Sequence, residues 1–524
     1  MKSESQQSSS VWMETAEIDS EPTLNQNIHT QVCVVGGGLA GLTTAYLMAR
    51  EGKSVVLLEA QSVGGSNSNT ARTTAHLSNA FDDRYYKMEQ WHGKRGARLI
   101  AESHTAAISK IEAIAKAEGI DCDFEWLDGY LFAAEGESKN PLYQELAAAH
   151  RAGLTEVQMV ERAPLAGVDT GACLLFPKQA QFHPLKYLAG LAKAFKRAGG
   201  QIFTGTAVEK IISGEKVRIK TKPGWIVTAE AVVVATNSPI NDIFTFSSND
   251  ILGIHTKQGA YRTFVVGLRV PKDSVTRALY WDTLDPYHYV RLQTVKPDEG
   301  EPYDLLIVGG EDYKTGHEDE GDESYAKLEQ WTRQNFPAAG EVEFRWSGQV
   351  LDSVDGPAFI GHDIAPNVYI VTGDSGQGMT HGTIAGMLLT DMVMGRKNDW
   401  ELVYDPARVR VAIGTAKDFV QENATTLSSY LDWLTVGDVD AVSQIEQGEG
   451  AIVRQGLKKL AVYRDEQGSL HQCSAVCPHL GCIVAWNSSE KSWDCPCHGS
   501  RFDTDGKVLN GPSIHNLKKI TNNY

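Results

Sequence analysis

The chain reads as an α/β protein with an interleaved mixed-sheet domain, followed by a small all-β domain. Three observations predict this. Residues 31–60 run strand, glycine turn, helix, strand, acid. Residues 250–312 alternate as strands, in segments such as "TKQGAYRTFVVGLRV", "YHYVRLQ" and "DLLIVGGE". Residues 437–524 are β-rich, and four of the chain's eight cysteines fall between positions 477 and 497.

Composition narrows the classes. The chain has 524 residues, 42% hydrophobic and 22% charged, enough apolar material for several globular units without cross-links. A formal net charge of −17 argues against nucleic acid or an anionic membrane surface as the main partner. No window reaches the roughly 18 unbroken apolar residues of a membrane span. Residues 1–28 are polar, lack the apolar core of a signal peptide, and are expected as a mobile lead-in partly docked on the body. Cys33, Cys122 and Cys173 are dispersed, unlike an extracellular disulfide framework, so the expected location is cytoplasmic.

The first element is the apolar run Val32–Val35, followed at once by Gly36-x-Gly38-x-x-Gly41. Leu42, Ala45, Tyr46 and Ala49 then recur at helical spacing, and a second apolar run, Val55–Leu58, ends in Glu59. The first glycine permits a tight turn, the second lets backbone N–H groups approach a pyrophosphate, and the third lets helix pack on strand. The helix N-terminus, at Leu39 and Ala40, offers partial positive charge to phosphates. Glu59, followed by Ala60, lies 18 residues after Gly41, placed to accept hydrogen bonds from ribose hydroxyls. The pattern binds a dinucleotide; by itself it does not choose between FAD and NAD.

The segments that follow resemble the glycine oxidase and D-amino-acid oxidase superfamily of FAD-dependent oxidoreductases. "VGGSNSNTARTTAHLS" resembles that family's second phosphate-contacting segment, with Arg72, Thr73 and Thr74 where Arg-Asn-Gly is usual. "QIFTGTAVEKI" resembles the strand whose valine, here Val208, meets the adenine. "AVVVATNSP" resembles the strand ending in Ala-Thr-Gly, with Asn237 in place of glycine, and "RWSGQVLDSVDGPAFIG" matches the pattern before the last flavin strand. In "VYIVTGDSGQGMTHGTIAG", Gly373, Gly376 and Gly378 mark a second strand-to-helix turn, continued by Met379 and Thr380, that aims a helix N-terminus at the flavin pyrimidine.

The resemblance spans roughly residues 30–405, with flavin-binding segments at about 29–80, 185–245 and 345–400 and a substrate domain between them. Residues 97–200 contain helical patterns, and the resemblance implies that His183-Pro184 opens a helix back to the flavin domain and that the strands of 250–312 form a mixed sheet over the flavin. Candidates for catalytic substrate contact are Tyr261, Arg262, Tyr289, Arg291 and His381. Arg262 and Arg291 also read as solvated or ion-paired strand residues, the more ordinary place for an arginine on a strand. Thr380 stands where monomeric sarcosine oxidases carry a lysine for the substrate carboxylate, which counts against simple N-methyl amino acids. Some relatives link FAD through histidine; His76 is expected instead as a packed residue near the phosphates.

Residues 406–436 read as a linker helix and 437–524 as the last domain. Its core gives C-x-H at Cys477 and His479, fifteen intervening residues, then C-x-x-H at Cys495 and His498. A zinc knuckle, a redox dithiol and a Rieske centre all use such spacings. Zinc needs neither Cys482 nor Cys497. "CPHLGC…CPCHGSRFD" followed by "GPS" resembles Rieske domains of the cytochrome bc type. That resemblance implies a [2Fe–2S] cluster on Cys477, His479, Cys495 and His498, and a disulfide between Cys482 and Cys497. It places Ser500 against a bridging sulfide, Gly511-Pro512 in a covering loop, and Phe502 where high-potential members carry tyrosine; loss of that donor lowers the potential.

The expected function is a dehydrogenase. A small amine or amino-acid-like substrate gives a hydride to FAD, and electrons pass singly to the Rieske cluster and on to an external one-electron carrier. Two alternatives stand beside it: a ferredoxin-fed flavin reductase or monooxygenase-type enzyme, and a non-enzymatic redox sensor or electron-transfer module.

Overall fold

The computed structural model describes residues 8–134, 136–165, 168–240, 253–297, 300–317, 321–408 and 429–520. The strand Ile28–Val35 buries its apolar second half in the middle of a sheet. It pairs in parallel with Val55–Leu58 on one side and Ile226–Val234 on the other. The parallel set extends to Gln201–Phe203 and Val368–Thr372, and Phe359–His362 closes one end antiparallel. Strands covered on both faces carry unbroken apolar runs, which is why they were visible in the sequence. The helices Leu39–Arg50, Pro184–Arg197, Gly378–Val393 and the long Tyr85–Glu118 pack against one another beside this sheet. His183 caps the second of these, its Nδ1 accepting from the Lys186 N–H at 3.2 Å.

The interleaved domain is a second sheet, ordered Val342–Ser353, Gln258–Val270, Tyr303–Lys314, Tyr289–Val295, Leu279–Trp281, Glu125–Phe132, Cys173–Gln181, His76–Leu77. The expected helices in 97–200 are present, but Glu125–Phe132 and Cys173–Gln181 between them are strands of this sheet. Burial along Glu125–Phe132 alternates only in its first half, so its period-two signal is short.

Two small antiparallel sheets build the C-terminal domain, one of three strands within 450–474 and one of four within 485–510. Of the expected lead-in, residues 1–7 lie outside the described residues; Val11 and Trp12 are buried against the body, and Trp12 Nε1 donates to the Thr73 carbonyl at 2.6 Å. Most of the expected linker helix, 409–428, also lies outside the described residues, and Ser429–Leu434 forms a 3-10 turn. Among the described residues, no helix is long and apolar enough to cross a membrane.

Candidate functional site: two cradles and the wall between them

At the first glycine turn the chain leaves no room for side chains. Gly36 sits at φ +110, and a Cβ on Gly41 would come 2.0 Å from the Gly36 carbonyl oxygen. The turn opens on a cleft of about 420 Å³, lined by Gly36, Gly38, Leu39, Ala40, Glu59, Ala60 and Val208. Glu59 accepts from the N–H groups of Gly37 (2.6 Å) and Gln61 (2.8 Å); burial raises its pKa and those N–H groups oppose the rise. From the far side come Gly378, Met379 and His381. His381 Nδ1 lies 2.9 Å from the Asp374 carbonyl oxygen, and burial pushes its pKa down to about 4. A glycine cradle at a helix N-terminus beside a carboxylate, with a second helix start facing it, suits FAD.

A second cavity, about 560 Å³, adjoins the cleft under the mixed sheet. Tyr261, Tyr289, Thr380, Thr73, Thr74 and Gly376 line it. Tyr289 shares a 2.6 Å hydrogen bond with Thr263, and burial raises its pKa. His76 lies on the same wall with Nδ1 3.0 Å from Thr74 Oγ1 and Nε2 3.2 Å from the Val290 carbonyl oxygen. Arg262 and Arg291 turn away from this cavity. Arg291 is fully buried and donates to the carbonyl oxygens of Thr74, Ala75 and Phe182 and to Gln293. Arg262 faces the C-terminal domain, because successive residues of a strand point to opposite faces: Tyr261 and Thr263 line the cavity, and Arg262 between them does not. Arg72 is likewise drawn from the phosphate side, donating to Ser66 O (2.7 Å), Ser8 Oγ (2.8 Å) and Ser347 O (3.0 Å).

In the C-terminal domain two matching turns face each other. Gly481 N–H bonds back to Cys477 O and Gly499 N–H back to Cys495 O, both at 3.0 Å. A disulfide between Cys482 and Cys497 joins the turns. Cys477 and Cys495 are buried free thiols facing each other, with the Ser500 hydroxyl beside Cys477. The rings of His479 and His498 lie 5.0 Å apart; both nitrogens of His479 and Nδ1 of His498 are buried without a hydrogen-bond partner. Two opposed thiols and two imidazoles with orphaned nitrogens are a donor set that suits a [2Fe–2S] centre held by two Cys and two His. The sulfurs of Cys482, Cys495 and Cys497 also lie within 4.8 Å of one another, but the first and last are bonded together and offer no thiolate. Phe502 is fully buried nearby.

The domains lock through Glu490. It accepts from Arg262, from the Ser347 hydroxyl and from Arg501 (2.5 Å), with Arg72 at 3.8 Å. Burial opposes its ionisation, yet the guanidinium groups of Arg262, Arg501 and Arg72 hold its carboxyl far below the usual range. Gln349 Nε2 donates to Gly499 O at 2.6 Å and His317 Nε2 to Pro496 O at 3.2 Å, so the second turn rests on the flavin domain. The His255 ring packs 5.1 Å from His479 and 5.8 Å from His498. Val508, Asn510, Gly511 and Ser513 of the C-terminal domain form part of the dinucleotide cleft itself.

Fold and site together define a flavin-dependent oxidoreductase that carries a Rieske centre. Comparison with known proteins agrees: residues 31–392 match the family described as DAO, FAD dependent oxidoreductase, and residues 433–521 match the Rieske [2Fe-2S] domain. The chain belongs to the DAO family, with a C-terminal Rieske domain, and its cofactors are FAD and a [2Fe–2S] cluster. It is 31% identical over 513 residues to YhfW of Bacillus subtilis (strain 168), whose name describes a Rieske 2Fe-2S iron-sulfur protein, with 97% of each chain covered. It is 26% identical over 383 residues to gamma-glutamylputrescine oxidoreductase of Escherichia coli (strain K12), covering 71% of this chain and 85% of that one. The solved glycine oxidase of Geobacillus kaustophilus superposes with a TM-score of 0.56 at 20% identity over 73% of this chain and all of that one.

Sequence reasoning missed Glu490, His255 and the carboxylates Asp82, Asp312 and Asp352 of the cavity wall. Each lies in a different segment, and no local spacing links them. Asp352 alone had a signal, inside the segment "RWSGQVLDSVDG" already singled out for other residues.

Proposed function

We infer that the chain is a dehydrogenase that oxidises a small amine or amino-acid-like substrate and passes the electrons within itself. FAD, when bound, would supply a hydride acceptor, and a [2Fe–2S] centre would supply a one-electron relay to an external carrier. A substrate C–H leaves as hydride while the nitrogen lone pair closes a C=N bond, so a deprotonated amine enters and an iminium cation departs. Gly36, Gly38, Leu39, Ala40, Gly41, Glu59, Ala60 and Val208 hold the dinucleotide, with the turn Gly373–Thr380 behind it and Thr73 and Thr74 at its edge. Cys477, His479, Cys495 and His498 hold the cluster.

The observation that carries this reading is the shared wall. His255, on the flavin-domain side, packs against both candidate ligand rings, and the 508–513 segment of the Rieske domain lines the dinucleotide cleft. Substrate approaches from the other side, between Tyr261, Tyr289 and Thr380.

Anaerobic stopped-flow with a panel of amines and amino acids tests it. Bleaching of flavin absorbance followed by reduction of the cluster, with no added carrier, is the expected sequence. Reduction only by an external ferredoxin would reverse the direction of flow, and no reduction by any compound would remove the enzyme reading.

A further inference from the structure

The cavity under the mixed sheet is strongly acidic. Asp82, Asp83, Asp312, Asp352 and Asp374 line it, with Glu137 and Asp285 at its exposed mouth. The basic residues on the same wall are Arg72, Arg84 and Lys87. Arg72 is held by Glu490, and Lys87 lies 3.7 Å from Asp83. Four inward carboxylates therefore face Arg84, whose guanidinium is itself turned toward the Phe81 and Asp282 carbonyl oxygens. Neither Arg262 nor Arg291 reaches the cavity, and among the described residues that line it Arg72 is committed to Ser66, Ser8 and Ser347, which leaves Arg84 alone against four carboxylates.

Two acceptors in the wall lack donors. Gln377, 9% exposed, gives its Nε2 to Asp82 and the Ala80 carbonyl oxygen and leaves its Oε1 buried without a partner. Asp312 Oδ1 is also buried without one. Burial without a donor is costly to an acceptor; both residues line the cavity, and a small turn of either side chain that met a cationic N–H group there would relieve it. The carboxylates are spread along the cavity: among the described residues, the only His/Cys/Asp/Glu group close enough to share one metal ion is the cysteine group of the Rieske domain. Trp281, Tyr287 and Tyr289 complete the wall, the two tyrosine rings 5.5 Å apart, faces that attract ammonium groups.

We propose that the substrate is an elongated aliphatic amine bearing a second positive charge, a diammonium or polyammonium compound, bound by Asp82, Asp312, Asp352 and Gln377, and not a zwitterionic amino acid. This rests on the dehydrogenase reading for the fate of the bound amine, but not for its binding. One nitrogen gives its proton to bulk water before it binds, and its carbon passes a hydride to FAD so that it leaves as an iminium; the other remains an ammonium and anchors the chain on the carboxylates.

The test uses the full-length, cofactor-loaded protein and calorimetric titration under anaerobic conditions with 1,4-diaminobutane, n-butylamine and γ-aminobutyrate. The expected order is diamine, then monoamine, then zwitterion, with roughly tenfold between steps, the size of one lost charged contact. Asp312→Asn and Asp352→Asn, checked for unchanged melting and flavin content, each loosen the diamine about tenfold and leave n-butylamine less affected. Equal binding of γ-aminobutyrate and the diamine, or Asn variants that bind the diamine as well as the wild type, overturns the proposal. Flavin absorbance read in the same titration separates the two ideas. Diamine that binds selectively without bleaching supports the cation-binding cavity and overturns the dehydrogenase reading, whereas bleaching by zwitterions bound more tightly than the diamine does the reverse.

Discussion

Glu490 offers the most direct test of how the two domains are held. Glu490→Gln keeps the side chain's size and one carbonyl oxygen but removes the charge from among three guanidiniums. Arg501 keeps Asp494 at 2.9 Å, and Arg72 keeps its carbonyl partners on Ser66 and Ser347. Arg262, fully buried, keeps the Ser347 hydroxyl and the more distant charge of Asp494, but loses its ion pair. Removing one partner of a buried pair costs about 3–5 kcal/mol. With two of the three arginines still partnered, the lower end of that range, about 3 kcal/mol, is expected. Urea unfolding of the loaded protein, read by the visible circular dichroism of the cluster, measures it. The pH dependence fixes the cause. A carboxyl whose folded pKa is depressed contributes stability above its unfolded value, about 4.3 for Glu, and loses it as pH falls toward the folded one. The gap between wild type and variant is therefore flat from pH 7 to about 5 and shrinks by about 1.4 kcal/mol for each unit below that ordinary value. A variant as stable as wild type at pH 7, or a gap unchanged down to pH 3, would refute the ion-pair account.

Other outcomes follow from the same geometry. Burial pushes Asp312 up to about 7 and Asp82 and Asp374 up to about 6, with Asp82, Glu311 and His288 around Asp312 and Arg84 and Asp83 beside Asp82. These groups ionise as pH rises, so KM for a diammonium substrate falls roughly tenfold between about pH 5.5 and 7.5, measured in steady state with a one-electron acceptor. Gly41→Val drives a side chain onto the Gly36 carbonyl oxygen, 2.0 Å from the first added atom, and yields protein without flavin absorbance that keeps the Rieske electron paramagnetic resonance signal. Cys477→Ser gives the converse, flavin retained and the Rieske signal lost. Acid precipitation releases the flavin into the supernatant, because both ring nitrogens of His76 are already engaged by Thr74 and the Val290 carbonyl oxygen.

What could be read from the sequence is what is local. The glycine turn and Glu59 lie within one strand–helix–strand unit, and the four Rieske donors lie within 22 residues, so spacing exposed both sites and the family resemblances then chose FAD and the [2Fe–2S] cluster. The flavin strands, buried on both faces, announced themselves as apolar runs. The cavity did not. Its carboxylates come from the turn after His76–Leu77, from the ends of Tyr303–Lys314 and Val342–Ser353 and from the turn before Gly378, and only the closed fold brings them together. Arg262 shows the limit sharply. Its neighbours Tyr261 and Thr263 line the cavity, and choosing which of three adjacent residues faces inward requires the partner on the other face, which lies 228 residues away at Glu490.

That partner gives one end of the sheet its organisation. On Val342–Ser353, Gly348, Val350 and Asp352 line the cavity; Ser347 bonds Glu490, and Gln349, although it also borders the cavity, gives its side-chain amide to Gly499 of the Rieske domain. On Gln258–Val270 the same alternation puts Tyr261 and Thr263 on one side and Arg262 on the other. These two strands are hydrogen-bonded neighbours, with Arg262 opposite Gln349. Together they form a partition one sheet thick, with the acidic cavity on one face and the docked Rieske turn on the other. A shift of one residue in register would expose Arg262 to the cavity and strip Glu490 of its partner at once, so the buried ion pair fixes register as well as docking. The arrangement joins the cavity wall to the Rieske docking contacts through one piece of backbone, the alternate residues of the same two strands.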